Sequence, residues 1–197
     1  MIWYEDEVHQ LEKKAQSIAG VTNRTVFYGS SSIRMWNTLD HDFAGKPVLN
    51  FGFGGSTLAA CGWFFERLVV PLQPRSIVFY AGDNDLGDGR HAEEVYLFFC
   101  ALIAKMQGLL PDVPFSFVAI KPSPARWHII NNIRFANHLI RQKIEKLPGY
   151  QYVDIYTPML DAGGHPRWEL FESDGLHLSR KGYALWQQIL LQHPGIF

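Results

Sequence analysis

Apolar residues recur along this chain in two alternating rhythms. Val8, Leu11, Ala15 and Ile18 step by three and four, the spacing of one helical face. The pattern predicts an N-terminal helix that ends at Gly20. Five short runs rich in β-branched and aromatic residues follow, at 25–28, 47–51, 76–81, 115–120 and 151–155. Most are nearly continuous in apolar residues, as strands covered on both faces require. Helical stripes lie between and after them: Val95, Phe99, Leu102 and Met106; Ile129, Ile133, Ala136, Ile140, Ile144 and Leu147; then Tyr183, Trp186, Ile189 and Leu190. Strands alternating with helices imply right-handed βαβ units, hence a parallel sheet with helices on both faces. No repeat, low-complexity tract or linker breaks the 197 residues, so one domain over 1–197 is expected.

Composition narrows the class. Hydrophobic residues make up 47% and charged residues 19%, which is globular and not disordered. A formal net charge of -1 argues against nucleic acid as a partner, which would favour a basic face. The opening MIWYEDEVHQ has no basic n-region or apolar h-region, and no stretch reaches the roughly 18 apolar residues of a membrane span. A soluble, cytoplasmic chain without membrane insertion is expected. Cys61 and Cys100 sit in apolar segments without metal or disulfide spacing, and read as free thiols.

In parallel sheets, ligands bind beyond the carboxyl ends of the strands. The residues after the five runs are therefore the ones to weigh: Gly29-Ser30-Ser31-Ser32, Gly52-Phe53-Gly54-Gly55-Ser56, Gly82-Asp83-Asn84-Asp85, Lys121 to Trp127, and, further on, Ser173-Asp174-Gly175-Leu176-His177. Each has an ordinary structural reading. A serine after a strand caps or turns; paired glycines allow positive φ; Asn84 suits an Asx-turn, and Asp174 could cap the last helix. Their shared rim favours chemistry. A serine hydroxyl needs a base. His177 can serve, provided a carboxylate fixes its tautomer, and Asp174 stands three residues earlier. The oxyanion of acyl transfer needs donors; the Asn84 amide, a backbone N–H freed by Gly55 and the serine's own N–H at a helix start are candidates.

GSSSIR after a strand, NFGFGGST, AGDND and DGLHLS, in that order from Gly29 to Ser179, resemble the four sequence blocks of the SGNH (GDSL-like) hydrolases. The resemblance implies a flavodoxin-like α/β/α sandwich with a five-stranded parallel sheet. It implies the nucleophile at Ser31, the acid and base at Asp174 and His177, and oxyanion donors at Ser31, Gly55 and Asn84. The usual Gly-Asp-Ser reads Gly29-Ser30-Ser31 here. Ser30 and Ser32 stand beside Ser31 as alternatives. Register favours Ser31, with Ile33 already turned inward, and its neighbours are expected to satisfy backbone groups at a tight turn. An α/β-hydrolase elbow would want G-x-S-x-G and a distant acid and base, neither of which is present.

The expected function is a serine esterase or acyl hydrolase acting on a small-molecule ester, with short-chain or acetyl groups favoured by the short loops. No cofactor is expected, and homo-oligomerisation is left open. A non-catalytic module that cradles a phosphate or sugar on the same loops is the alternative. Three residues are candidate substrate contacts: Phe53 toward the acyl group, and Arg126 and Trp127 as a clamp, with surface packing as the other reading of that pair. Met35 and Trp36 are expected beneath the sheet edge. Asp83, Asp85, Asp88 and Glu94 approach calcium-loop spacing, but Gly87 and Asp88 fail at its fifth and sixth positions. They read instead as a solvated acidic loop. No set of residues has metal spacing.

Overall fold

A computed structural model describes residues 1–18, 20 and 22–197. Five strands, β1 (Thr25–Gly29), β2 (Val48–Gly52), β3 (Ser76–Tyr80), β4 (Phe115–Val118) and β5 (Tyr150–Val153), form one sheet in the order β2-β1-β3-β4-β5. Every adjacent pair is parallel. The direction of winding reverses between β1 and β3, where a doubly wound sheet opens a crevice above its strand ends. The expected flavodoxin-like α/β architecture is therefore present.

Successive strand residues point to opposite faces, and so build two cores. Val26, Tyr28, Phe51, Phe79 and Phe117 face one way. They pack under α1 (Glu5–Ser17), α4 (Leu58–Leu68), α6 (Ala92–Leu109) and α7 (Ile130–Ile144). Phe27, Val78, Tyr80, Val118 and Val153 face the other way, under two one-turn helices, α2 (Ser31–Arg34) and α3 (Leu39–Asp42), and the last helix, α8 (Arg180–Leu191). Trp36 is buried in this second core as expected, and its indole N–H donates to Asp42 at 2.7 Å. The Asp42 carboxylate also accepts two bonds from Arg180, both 2.6 Å, which fasten α8 to α3.

Element ends depart from the sequence pattern for local reasons. The first helix stops at Ser17, where the Ser17 hydroxyl donates to the Lys14 carbonyl and competes with the helical ladder. Strand β4 stops at Val118, although Ala119 and Ile120 are fully buried. The backbone N–H and C=O of Ile120 both turn to the Asn137 side chain, each at 2.8 Å, so no sheet partner is left for them. Strand β5 begins at Tyr150 and gives way to a turn in which Asp154 accepts the Thr157 N–H at 3.0 Å. Among the described residues, no helix is long and apolar enough to cross a membrane.

Candidate active site

The first site element is the turn from β1 into α2. Gly29 has φ +137, and a Cβ there would overlap the Tyr80 carbonyl oxygen. Only glycine lets β1 and β3 approach this closely at the switch point. The Ser30 N–H donates to that same carbonyl at 2.9 Å, and the Ser30 carbonyl accepts from Ile33 at 2.8 Å and Arg34 at 3.1 Å. Ser30 and Ser32 are buried, at 2% and 1% exposure, while Ser31 is half-buried. Accessibility therefore singles out Ser31 among the three. The flanking serines satisfy the turn through their backbones and not, as expected, through their hydroxyls: Ser30 forms no side-chain cap, and the buried Ser32 Oγ has no partner among the described residues. The Ser32 carbonyl instead accepts from the Tyr183 hydroxyl at 3.1 Å, tying α2 to α8. With one turn only, α2 sums few peptide dipoles, and its macrodipole adds little at Ser31.

Asp174 and His177 lie in a tight turn before α8, not in a helical one. His177 Nδ1 stands 2.6 Å from Asp174 Oδ2. Asp174 Oδ1 accepts the backbone N–H of Leu176 at 2.8 Å and of His177 at 2.9 Å. Partial burial opposes ionisation of Asp174; the hydrogen bonds from the His177 ring and these two amides outweigh it and hold the carboxyl at about 2. The last helix is capped by Ser179, whose hydroxyl accepts from Gly182 at 3.3 Å, so Asp174 is free of that duty. With Nδ1 held by the carboxylate, Nε2 is the nitrogen left to act as a base. No hydrogen bond joins Ser31 to His177 among the described residues; catalytic hydroxyl–imidazole contacts commonly tighten only when substrate is bound.

The third and fourth elements follow β2 and β3. Gly55 has φ +64 and is exposed, and its N–H has no protein acceptor among the described residues. Its carbonyl accepts the Tyr4 hydroxyl at 3.0 Å, and the neighbouring Gly54 N–H donates to Glu7 at 2.8 Å. Tyr4 and Glu7 thus hold the glycine turn from the N-terminal segment, some fifty residues away in sequence, and nothing in the pattern around them announces it. Asn84 sits in α5 (Asp83–Gly87), the one-turn helix after β3; its amide nitrogen donates to the Ser56 carbonyl at 3.0 Å. The second N–H of that amide remains for another acceptor. A cavity of 710 Å³ opens beside this turn, lined by Trp3, Tyr4, Gly54, Gly55, Asp85 and Phe98 among others.

Of the three sequence-derived contacts, Phe53 and Arg126 turn away from a substrate role, and Trp127 follows the packing reading. Phe53 is fully buried in an aromatic cluster with Tyr4, Tyr28 and Phe64, so no face of its ring is open to an acyl group. Arg126 does not reach outward as a clamp. Its guanidinium donates to the Asp83 carbonyl and, at 3.1 Å, to Asn84 Oδ1. Trp127 packs on the first core, 5.3 Å from the His165 ring, with Arg134 5.9 Å above it. The acidic loop is solvated only in part: Asp88 is exposed, whereas Asp83 and Asp85 are buried. Asp83 is 4% exposed and pairs with buried Lys121 at 2.5 Å. Asp85, 1% exposed, accepts the Leu58 N–H at 2.7 Å and so caps α4; burial pushes its pKa up to about 6.

Comparison with known proteins agrees with this architecture. Residues 18–185 match the GDSL-like Lipase/Acylhydrolase family. Platelet-activating factor acetylhydrolase IB subunit alpha2 of Gallus gallus is 27% identical over 172 residues, covering 81% of this chain and 70% of that protein. A GDSL-like lipase from Bacteroides thetaiotaomicron has the same fold, with TM-score 0.82 at 19% identity over 94% of this chain and 95% of that one. A family 3 carbohydrate esterase from Clostridium thermocellum superposes with TM-score 0.69 at 17% identity, covering 88% of this chain and 95% of that one. With most of its length inside the family match, and with the sheet that match implies, the chain belongs to the GDSL-like lipase/acylhydrolase family.

Proposed function

We propose that this protein is a serine ester hydrolase in which Ser31 is the nucleophile, His177 the base and Asp174 the acid that orients it. The observation that carries this reading is the 2.6 Å contact between His177 Nδ1 and Asp174 Oδ2, on the rim where Ser31 alone of its serine run is accessible. Ser31 Oγ attacks the ester carbonyl carbon as His177 Nε2 takes the hydroxyl proton. The N–H groups of Gly55 and Ser31 and the Asn84 amide receive the developing oxyanion. The tetrahedral intermediate collapses, and His177 returns the proton to the departing alcohol. Water, deprotonated by the same imidazole, then attacks the acyl-serine, and the carboxylic acid leaves with Ser31 restored. Every proton moves through one side chain, so the cycle requires no cofactor.

Short acyl groups, acetyl first, are the substrates this reading favours. The rim loops are short, and two relatives carry the names acetylhydrolase and carbohydrate esterase. The cavity beside Gly55 offers room for the remainder of a substrate. A fluorophosphonate probe followed by peptide mass analysis tests the nucleophile: the adduct should fall on Ser31 and disappear in Ser31→Ala. Nitrophenyl esters from two to twelve carbons test the chain length, and a long-chain optimum would refute the short-chain preference. Ligand binding without turnover, unchanged between wild type and His177→Ala, would mean a binding module instead.

A further inference from the structure

We propose that Arg126 is a positioning residue for the oxyanion donor Asn84; this rests on the role just given to Asn84. A side-chain amide has an oxygen end and a nitrogen end of nearly equal shape, and only its nitrogen end can stabilise an oxyanion. Two contacts decide which way Asn84 faces. The Ser56 carbonyl can only accept, so it takes the amide nitrogen, at 3.0 Å. The Arg126 guanidinium can only donate, so it takes Oδ1, at 3.1 Å. Between them the flipped orientation, which would turn a carbonyl oxygen toward a developing negative charge, loses both hydrogen bonds.

Arg126 is itself held. Its other terminal nitrogen donates to the Asp83 carbonyl and lies 3.3 Å from Asp83 Oδ1. Asp83 is anchored in turn by Lys121, buried at 2% exposure. The guanidinium lies against Gly87, where an added Cβ would overlap it. One neighbour of Arg126 also bridges the site: the Ala125 N–H donates to the Gly175 carbonyl at 3.1 Å, inside the turn that carries Asp174 and His177. The loop after β4 thus braces the oxyanion side of the rim against the acid–base side. A lysine at 126 would keep the charge but lose the planar fork that reaches Asp83 and Asn84 together.

The experiment combines kinetics with a direct view of the amide. Arg126→Ala should lower kcat by roughly 10- to 100-fold with KM little changed, within the roughly 10²- to 10³-fold cost of losing a whole oxyanion donor. Arg126→Lys should restore little of it. In an Asn84→Ala background, Arg126→Ala should have no further effect, and Gly87→Ala, which displaces the guanidinium without removing it, should lower kcat in the same sense. A rise in KM at constant kcat would make Arg126 a substrate contact and overturn the proposal, as would multiplicative losses in the double variant. The Asn84 side-chain NH₂ resonances, assigned by their loss in Asn84→Asp, give a readout that needs no turnover. They should be dispersed and slow to exchange in the wild type and collapse toward free-amide positions in Arg126→Ala. An unchanged pair overturns the positioning role even if the protein is an esterase; a collapsed pair supports it even if the wild type hydrolyses no ester tested.

Discussion

Asp174 grips His177 twice, by its ring Nδ1 at 2.6 Å and by its backbone N–H at 2.9 Å. The two bonds use different oxygens of one carboxylate, so the turn that places the residue also sets the orientation of its ring. Replacing Asp174 by Asn leaves an amide that can donate to Nδ1 and stabilise the wrong tautomer. We predict a loss in kcat of about 10³- to 10⁴-fold for Asp174→Asn and at least as much for Ser31→Ala or His177→Ala, with no additivity among the three. Steady-state hydrolysis of nitrophenyl acetate measures it; losses that multiply would show that the residues do not act as a unit.

The pH profile follows from the same pair. With Asp174 held at about 2, the carboxylate stays ionised throughout the working range. Protonation of Asp174 is therefore not expected to cost activity anywhere above about pH 3, which a pH profile of kcat/KM measures. A loss of activity that tracks the carboxyl of Asp174 within the working range would contradict the grip of the two amides and the ring upon it.

Gly29 is the point where strand proximity and the site coincide. Any side chain there meets the Tyr80 carbonyl and forces φ +137 on an L-residue. Gly29→Ala is expected to destabilise the fold by about 3 kcal/mol or more, through overpacking and backbone strain together. A urea melt unchanged from wild type would contradict the close approach of β1 and β3.

Asp85 should show the opposite sign. Its folded pKa of about 6 lies above the roughly 3.9 of an unfolded aspartate. The stabilising contribution of its neutral form is thus complete below about 3.9 and is lost as pH rises through 6, when a charge must be buried. Asp85→Asn keeps an acceptor for the Leu58 N–H without the charge. It is expected to raise stability at pH 8 by about 1–3 kcal/mol and to add nothing at pH 4. Denaturant melts at the two pH values decide the matter.

Asp42 titrates the other way. Burial alone would raise its pKa, but the bonds from Arg180, Trp36 and Thr38 hold it well below the usual carboxylate range. Its contribution is present above the unfolded value near 3.9 and is lost as pH falls toward the folded one. Arg180→Ala leaves the Asp42 carboxylate without its counter-charge and should lower stability near pH 7. That gap to wild type should narrow below about pH 3. A gap constant with pH would mean that the pair contributes packing and not charge.

The five runs, their alternation with helices and the rim after each strand could be read without coordinates, because strand burial on both faces writes itself into continuous apolar segments. Ser31, Gly55, Asn84, Asp174 and His177 stand out as candidates because each lies directly at a strand end or in a short motif. The same proximity makes Phe53 and Arg126 resemble substrate contacts. Both stand next to the site in sequence, yet an aromatic core takes the ring of Phe53, and Asp83 and Asn84 take the guanidinium of Arg126.

Local pattern thus determined the order of elements, the parallel sheet and the side chains available along its rim. Which way those side chains point was decided only in three dimensions. Tyr4 on Gly55, Glu7 on Gly54, Arg126 on Asn84 and Lys121 on Asp83 are contacts between residues 38 to 51 positions apart. Periodicity records burial, which each residue carries with it; a hydrogen bond across the rim depends on where two separate elements come to rest, and no single stretch of the chain encodes that.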